Sequence, residues 1–87
     1  MNICFEYEAF ENYLNWLKND KAIFRKINAL IKDIKRNPFD KNGLGKPEIL
    51  KNYFQGYYSR KVTQEHRLLY RVENGNLLIK ECKGHYN

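Results

Sequence analysis

Three polar sites lie far apart in this chain: Glu48 in Gly45-Lys46-Pro47-Glu48-Ile49-Leu50, Arg67 in Glu65-His66-Arg67-Leu68-Leu69-Tyr70, and His85 in the ending His85-Tyr86-Asn87. A carboxylate can take a proton, an imidazole can give one, and a guanidinium fork can hold a crowded phosphate between them. Cleavage of RNA through its own 2′-hydroxyl requires those three parts. Each residue also has an ordinary reading. Glu48 suits a solvated loop, or a local pair with Lys51 if a helical turn forms there. Arg67 could bridge to Glu65, Glu73 or Glu81, and His85 could be an exposed terminal side chain. Pro47, with its fixed φ, limits the freedom of the loop that carries Glu48. Tyr57, Tyr58, Tyr70 and Tyr86 offer aromatic faces of the kind unstacked bases need. Tyr70 fits the core better, and Tyr86, next to His85, is the best stacking candidate. His66 is expected to be structural or exposed.

The chain has 87 residues, enough for one core and one domain spanning 1–87. Hydrophobic residues make up 43% and charged residues 30%, a balance that excludes both a disordered tail and a membrane protein. The start, Met1-Asn2-Ile3-Cys4-Phe5-Glu6, lacks a basic region followed by a long apolar run, so a cytoplasmic location is expected. Sixteen Lys and Arg against ten Asp and Glu give a net charge of +6, which favours a polyanionic partner, whether nucleic acid or an acidic protein. Cys4 and Cys82 sit in separate apolar segments and are expected to be buried thiols. With His66 and His85 they lack the clustered spacing of a zinc site, so no metal and no cofactor is expected.

Patterning supplies the elements. Ile3 to Tyr7 reads as a first strand. Phe10, Tyr13, Leu14 and Leu17, with Trp16 beside them, predict a helix over about Glu8 to Lys18 with that stripe buried. Asn19 and Asp20 offer a stop and a new N-cap. A second helix then carries Ile23, Ile27, Leu30, Ile31 and Ile34 inward until Pro38 ends it. A long loop from Pro38 to Gly56, with one helical turn at Pro47 to Asn52, leads to strands at about Tyr57–Val62, Arg67–Glu73 and Leu77–Cys82. Asn74-Gly75 marks a type I′ hairpin between the last two. Leu68, Tyr70 and Val72 should face the helices. Arg67 and Arg71 should face away, beside Arg60 and Lys61 on an open basic surface. The fold class is α+β, a helical hairpin on one face of a largely antiparallel sheet.

Along nearly its whole length the chain resembles the Txe/YoeB family within the RelE-like toxins. The likeness rests on Lys26-Ile27-Asn28, Leu30-Ile31-Lys32-Asp33, Arg36-Asn37-Pro38-Phe39, Gly45-Lys46-Pro47-Glu48, Tyr58-Ser59-Arg60, Thr63-Gln64-Glu65-His66-Arg67-Leu68-Leu69-Tyr70 and His85-Tyr86. It implies a RelE-like β-α-α-β-β-β fold and a type II toxin–antitoxin toxin that cuts mRNA in the ribosomal A site. By the same resemblance Glu48 is the general base, His85 the general acid and Arg67 the transition-state clamp. Lys51, Arg60, Lys61 and Tyr86 would hold or stack RNA, with Lys61 standing where the family commonly has a second arginine. The implied partners are an acidic YefM/Axe-like antitoxin and the ribosome, with room for a homodimer. The rival is a RelE-fold protein that does not cleave, such as a ParE-type gyrase poison or a silent antitoxin-binding module. Simple binding would not need a base and an acid.

Overall fold

Two helices bury their apolar stripes against one face of a twisted five-stranded sheet. The computed structural model describes residues 1–84. Strand β1 (Asn2–Phe5) is followed by helices α1 (Tyr7–Asn19) and α2 (Lys21–Arg36). After a long loop come β2 (Glu48–Ile49), a single 3-10 turn at Asn52–Phe54, β3 (Tyr58–Lys61), β4 (Arg67–Glu73) and β5 (Asn76–Glu81). The sheet order is β1-β5-β4-β3-β2. The β1–β5 pair is parallel and the other three are antiparallel, so the sheet is largely antiparallel as expected.

Local chemistry explains most boundaries. Asp20 alone separates the helices, and its side chain accepts from the Ile23 N–H at 3.2 Å to cap α2. Asn74 and Gly75 both have positive φ, 52° and 75°, as a type I′ turn between β4 and β5 demands. On α2 the buried residues are Ile27, Leu30, Ile31 and Ile34, four of the predicted five, with Ile23 partly buried.

Four expectations need correction. Helix α1 is rotated relative to the predicted stripe. Ala9 is wholly buried and Tyr13 and Trp16 pack against the core, while Phe10, Leu14 and Leu17 are each more than 40% exposed. The small Ala9 side chain lets the helix lie close to the sheet, where the Ala9 carbonyl accepts from Cys82 Sγ at 3.5 Å. Next, Pro47 to Asn52 does not form a helical turn. Its first residues run extended as the edge strand β2, with Glu48 opposite Ser59 and Ile49 opposite Tyr58. Third, Cys4 is exposed on edge strand β1, and only Cys82 is buried, where desolvation pushes its thiol up to about 12.

Arg60 departs furthest from expectation. It lies opposite Leu68 in the β3–β4 register, on the helix side of the sheet, and is wholly buried. Strand alternation sends Arg60 inward and Lys61 outward, so the two cannot share one basic face. The Arg60 guanidinium donates to the Asp33 carboxylate, to Tyr70 Oη at 3.0 Å, to the Leu44 carbonyl at 3.3 Å and to the Asn37 carbonyl at 3.5 Å. Asp33 also accepts from Leu44 N–H at 3.1 Å and from Arg36 at 2.9 Å. These contacts fasten the loop between α2 and β2 to the protein. Two glycines make the close approach feasible. A Cβ on Gly43 would stand 2.6 Å from Arg60 Nη1, and Gly45, at φ 77°, lies against the Lys61 backbone.

Hydrogen bonds from Arg36 and then Arg60 hold the Asp33 carboxyl down at about 2, against an ordinary 3.8. Its stabilising contribution is therefore full above about pH 4 and lost as the pH falls towards 2. Asp33→Ala should cost about 3–5 kcal/mol in urea unfolding at pH 7, because it leaves a buried guanidinium without its counter-ion. Asp33→Asn should flatten the acid side of the stability curve. A loss below about 1 kcal/mol for Asp33→Ala would assign the loop's anchorage elsewhere.

Candidate active site

The outer face of the sheet follows from strand register. Glu48 on β2 is opposite Ser59 on β3, Ser59 is opposite Leu69 on β4, and Lys61 is opposite Arg67. Paired residues share a face, so Glu48, Ser59, Lys61 and Arg67 all belong to the side away from the helices. Arg67 leans back along β3 and donates Nε–H to Ser59 Oγ at 3.0 Å. Its Nη2 then lies 3.7 Å from Glu48 Oε2. That separation is an ion pair without a hydrogen bond.

The pair is asymmetric in burial. The Arg67 side chain is only 8% exposed and the Glu48 side chain 56%. Arg67 Nη2 is buried and has no hydrogen-bond partner among the described residues, an unusual state for a charged donor. A carboxylate open to solvent thus stands beside a buried guanidinium Nη2 that has no acceptor among the described residues. A ribose hydroxyl could give its proton to the first while its phosphate oxygens took hydrogen bonds from the second.

Other expected residues fall into two groups. Lys61 stands beside Arg67 and is half-buried. Lys51 is exposed three residues beyond Glu48, with no helical turn to bring them onto one face. Arg60 is not at this surface at all. Its guanidinium is buried beneath the sheet, and an RNA contact there would require breaking the loop's anchorage. Tyr70 is in the core, with Tyr58 stacked on it at 5.8 Å. Tyr57 instead lies beneath Arg71 and Lys80, whose charges stand 5.3 and 6.0 Å from its ring centre. His85 and Tyr86 lie outside the described residues. Around the edge of β2 a cleft of about 220 Å³ has Phe39, Pro47, Ile49 and Tyr58 among its apolar lining and Asp40, Lys41 and Glu48 as its charged lining.

Sequence reasoning missed Ser59 and assigned little to His66. The alternation of β3 was the available signal for Ser59, since its outward phase matches that of Arg67. His66 required three dimensions. Its Nδ1 accepts from Gly84 N–H at 3.0 Å, the Gly84 carbonyl accepts from Arg67 N–H at 2.8 Å, and Trp16 meets its ring edge-on at 4.9 Å. The start of β4 therefore grips the chain immediately before residue 85. A bulge between β4 and β5 accompanies this arrangement, with Leu69 opposite Glu81 but Tyr70 opposite Ile79.

Among the described residues no three His, Cys, Asp or Glu side chains are grouped to hold a metal, and no helix is long and apolar enough to cross a membrane. Helices on one face of a mixed sheet, with a carboxylate and an arginine on the other, match the α+β fold of solved YoeB/RelE-like structures. The chain matches the family model described as the YoeB-like toxin of bacterial type II toxin-antitoxin system over residues 5–86, and it belongs to that family. Toxin YoeB of Escherichia coli strain K12 is 48% identical over 86 residues, covering 99% of this chain and all of that protein. The heterotetrameric YoeB–YefM complex from Staphylococcus aureus contains a chain 48% identical, with TM-score 0.89 and coverage of 99% and 98%. The YoeB dimer from the same organism gives 48% identity, TM-score 0.90 and the same coverage.

Because Glu48 is largely exposed and its pair with Arg67 is long, Glu48→Gln should change unfolding free energy by less than about 1 kcal/mol. Chemical denaturation would check this. A larger loss would mean that the carboxylate supports the fold, and activity data on this variant would then have to be corrected for unfolding.

Proposed function

We propose that this toxin is a ribosome-dependent endoribonuclease that cuts mRNA in the A site. The observation that carries this reading is the Glu48 carboxylate standing beside the Nη2 of a nearly buried Arg67, a donor without a hydrogen-bond partner among the described residues. Glu48 removes the 2′-OH proton, and the oxygen attacks the adjacent phosphorus. Arg67 steadies the charge that accumulates on the phosphorane oxygens. His85, assigned by resemblance, protonates the departing 5′-oxygen. The products are a 2′,3′-cyclic phosphate and a 5′-OH end. The two proton transfers use protein groups alone, so the mechanism calls for no metal or cofactor.

Lys51 and Lys61 supply charge for the RNA backbone, and Tyr86 supplies a stacking face. Arg60 is withdrawn from that set because its guanidinium is fully engaged below the sheet. The cleft beside Glu48, lined in part by Phe39, Ile49 and Tyr58, offers apolar surface for a neighbouring base. The partner is an acidic YefM-like antitoxin, supported by the YoeB–YefM complex of the S. aureus relative and by a net charge of +6. Self-association is supported by the dimer of that relative. The setting is the cytoplasm, where ribosomes and mRNA are.

On programmed ribosomes, Glu48→Gln and His85→Ala should each lower single-turnover cleavage by about 10²-fold or more, with ribosome binding little changed. Near-normal rates from both would refute these roles. A 2′-deoxy nucleotide on the 5′ side of the scissile phosphate should abolish cutting without abolishing binding. Cutting of that substrate at the ordinary rate would require water or a protein group as nucleophile.

A further inference from the structure

We propose that Ser59 is a positioning residue for this chemistry, fixing the rotation of the Arg67 guanidinium so that its Nη edge faces Glu48. The proposal rests on the reading of Glu48 and Arg67 as a cleavage site, and adds a residue that no part of that reading requires.

An arginine on a strand has several rotatable bonds but a rigid, planar head. Once the Nε–H direction is fixed, both Nη positions are largely fixed as well. Ser59 Oγ accepts that Nε–H at 3.0 Å. Ser59 itself is wholly buried and has strand neighbours on both sides, Glu48 on β2 and Leu69 on β4. Its short side chain therefore gives Arg67 a fixed reference point on a strand paired on both sides. The same residue is register-paired with Glu48, so one backbone position aligns the base and the clamp. With Nε occupied, an incoming phosphate meets the two Nη groups rather than the Nε side of the fork. Among the described residues Nη2 is a buried donor without a hydrogen-bond partner, a demand that an oxygen ligand admitted beside Glu48 would meet.

A merely structural serine would satisfy a buried donor and do nothing more. The two roles separate in a double-mutant cycle read on the chemical step. Ser59→Ala, Arg67→Lys and the double variant are compared in single-turnover cleavage on programmed ribosomes, with the ribosome concentration giving half-maximal rate measured alongside. Ser59→Ala should lower the maximal rate by about 10-fold or more, with half-saturation shifted less than about 2-fold. In the Arg67→Lys background, which lacks the fork to be aligned, it should lower the rate by less than about 2-fold further. The same loss in both backgrounds would overturn the proposal. Should Ser59→Ala fail to fold, Ser59→Cys keeps the shape, exchanges the oxygen for a weak sulfur acceptor and enters the same cycle.

A second readout is independent of catalysis. The Arg67 Nε–H proton, followed by ¹⁵N–¹H NMR in the free protein, should exchange with water about 10-fold or more faster in the Ser59 variant than in wild type. Unchanged exchange would overturn the positioning role even if cleavage fell. Absence of cleavage by the wild-type protein would instead count against the proposed function and leave the NMR arm to decide what Ser59 does.

Discussion

The Arg60 guanidinium, buried beneath β3, is the contact on which the placement of the candidate base depends. The loop from Asn37 to Pro47 carries little that could bury itself, since Phe39 is 59% exposed and Leu44 47%. Its position comes from polar contacts. Arg60 holds the carbonyls of Asn37 and Leu44, and Asp33 holds the Leu44 N–H. A cation taken out of water is costly unless it is paired and its donors are met, and Asp33, Tyr70 and the two carbonyls meet that demand. Beyond this anchor the Gly45 carbonyl accepts from Lys61 N–H at 2.6 Å, and the chain runs on into β2. Glu48 stands at the end of that path.

The two halves of the proposed site are thus held by different means. Arg67 begins β4, the central strand of the sheet, and is fixed by its pairing with Lys61, by the Gly84 carbonyl and by Ser59. Glu48 belongs to a two-residue edge strand whose register is set by Ser59 and Tyr58. Strand alternation links the arrangements, because the phase that sends Arg60 inward to hold the loop sends Ser59 and Lys61 outward to the site. Shifting β3 by one residue would exchange them and destroy both. The same economy appears at the start of β4, where neighbouring residues His66 and Arg67 hold Gly84 while Arg67 also reaches Glu48.

Much of this was legible in one dimension. The α2 stripe, the Asp20 cap, the Asn74-Gly75 hairpin and the outward direction of Arg67 each follow from a local period or a backbone requirement. The failures arose where tertiary packing decided. The rotation of α1 was set by the close fit of Ala9, which an apolar count ranks below Phe10 or Leu14. The strand at Glu48–Ile49 is too short to show a period and forms because β3 offers an edge. Arg60 was misplaced because a charged residue in a strand is ordinarily read as outward, and its acid, Asp33, is distant in sequence. Glu48 and Arg67 were found by chemistry and resemblance, while Ser59 went unremarked because strand alternation gives its outward phase but only the register gives its partners.

The most direct test of the account is the chemistry of the cut ends. If Glu48 activates a 2′-hydroxyl and Arg67 holds the phosphate it attacks, mass spectrometry of mRNA cleaved on programmed ribosomes will find a 2′,3′-cyclic phosphate upstream and a 5′-hydroxyl downstream of the cut. A 3′-hydroxyl with a 5′-phosphate would contradict the account, because that pair of ends requires an attacking group other than the substrate's own hydroxyl.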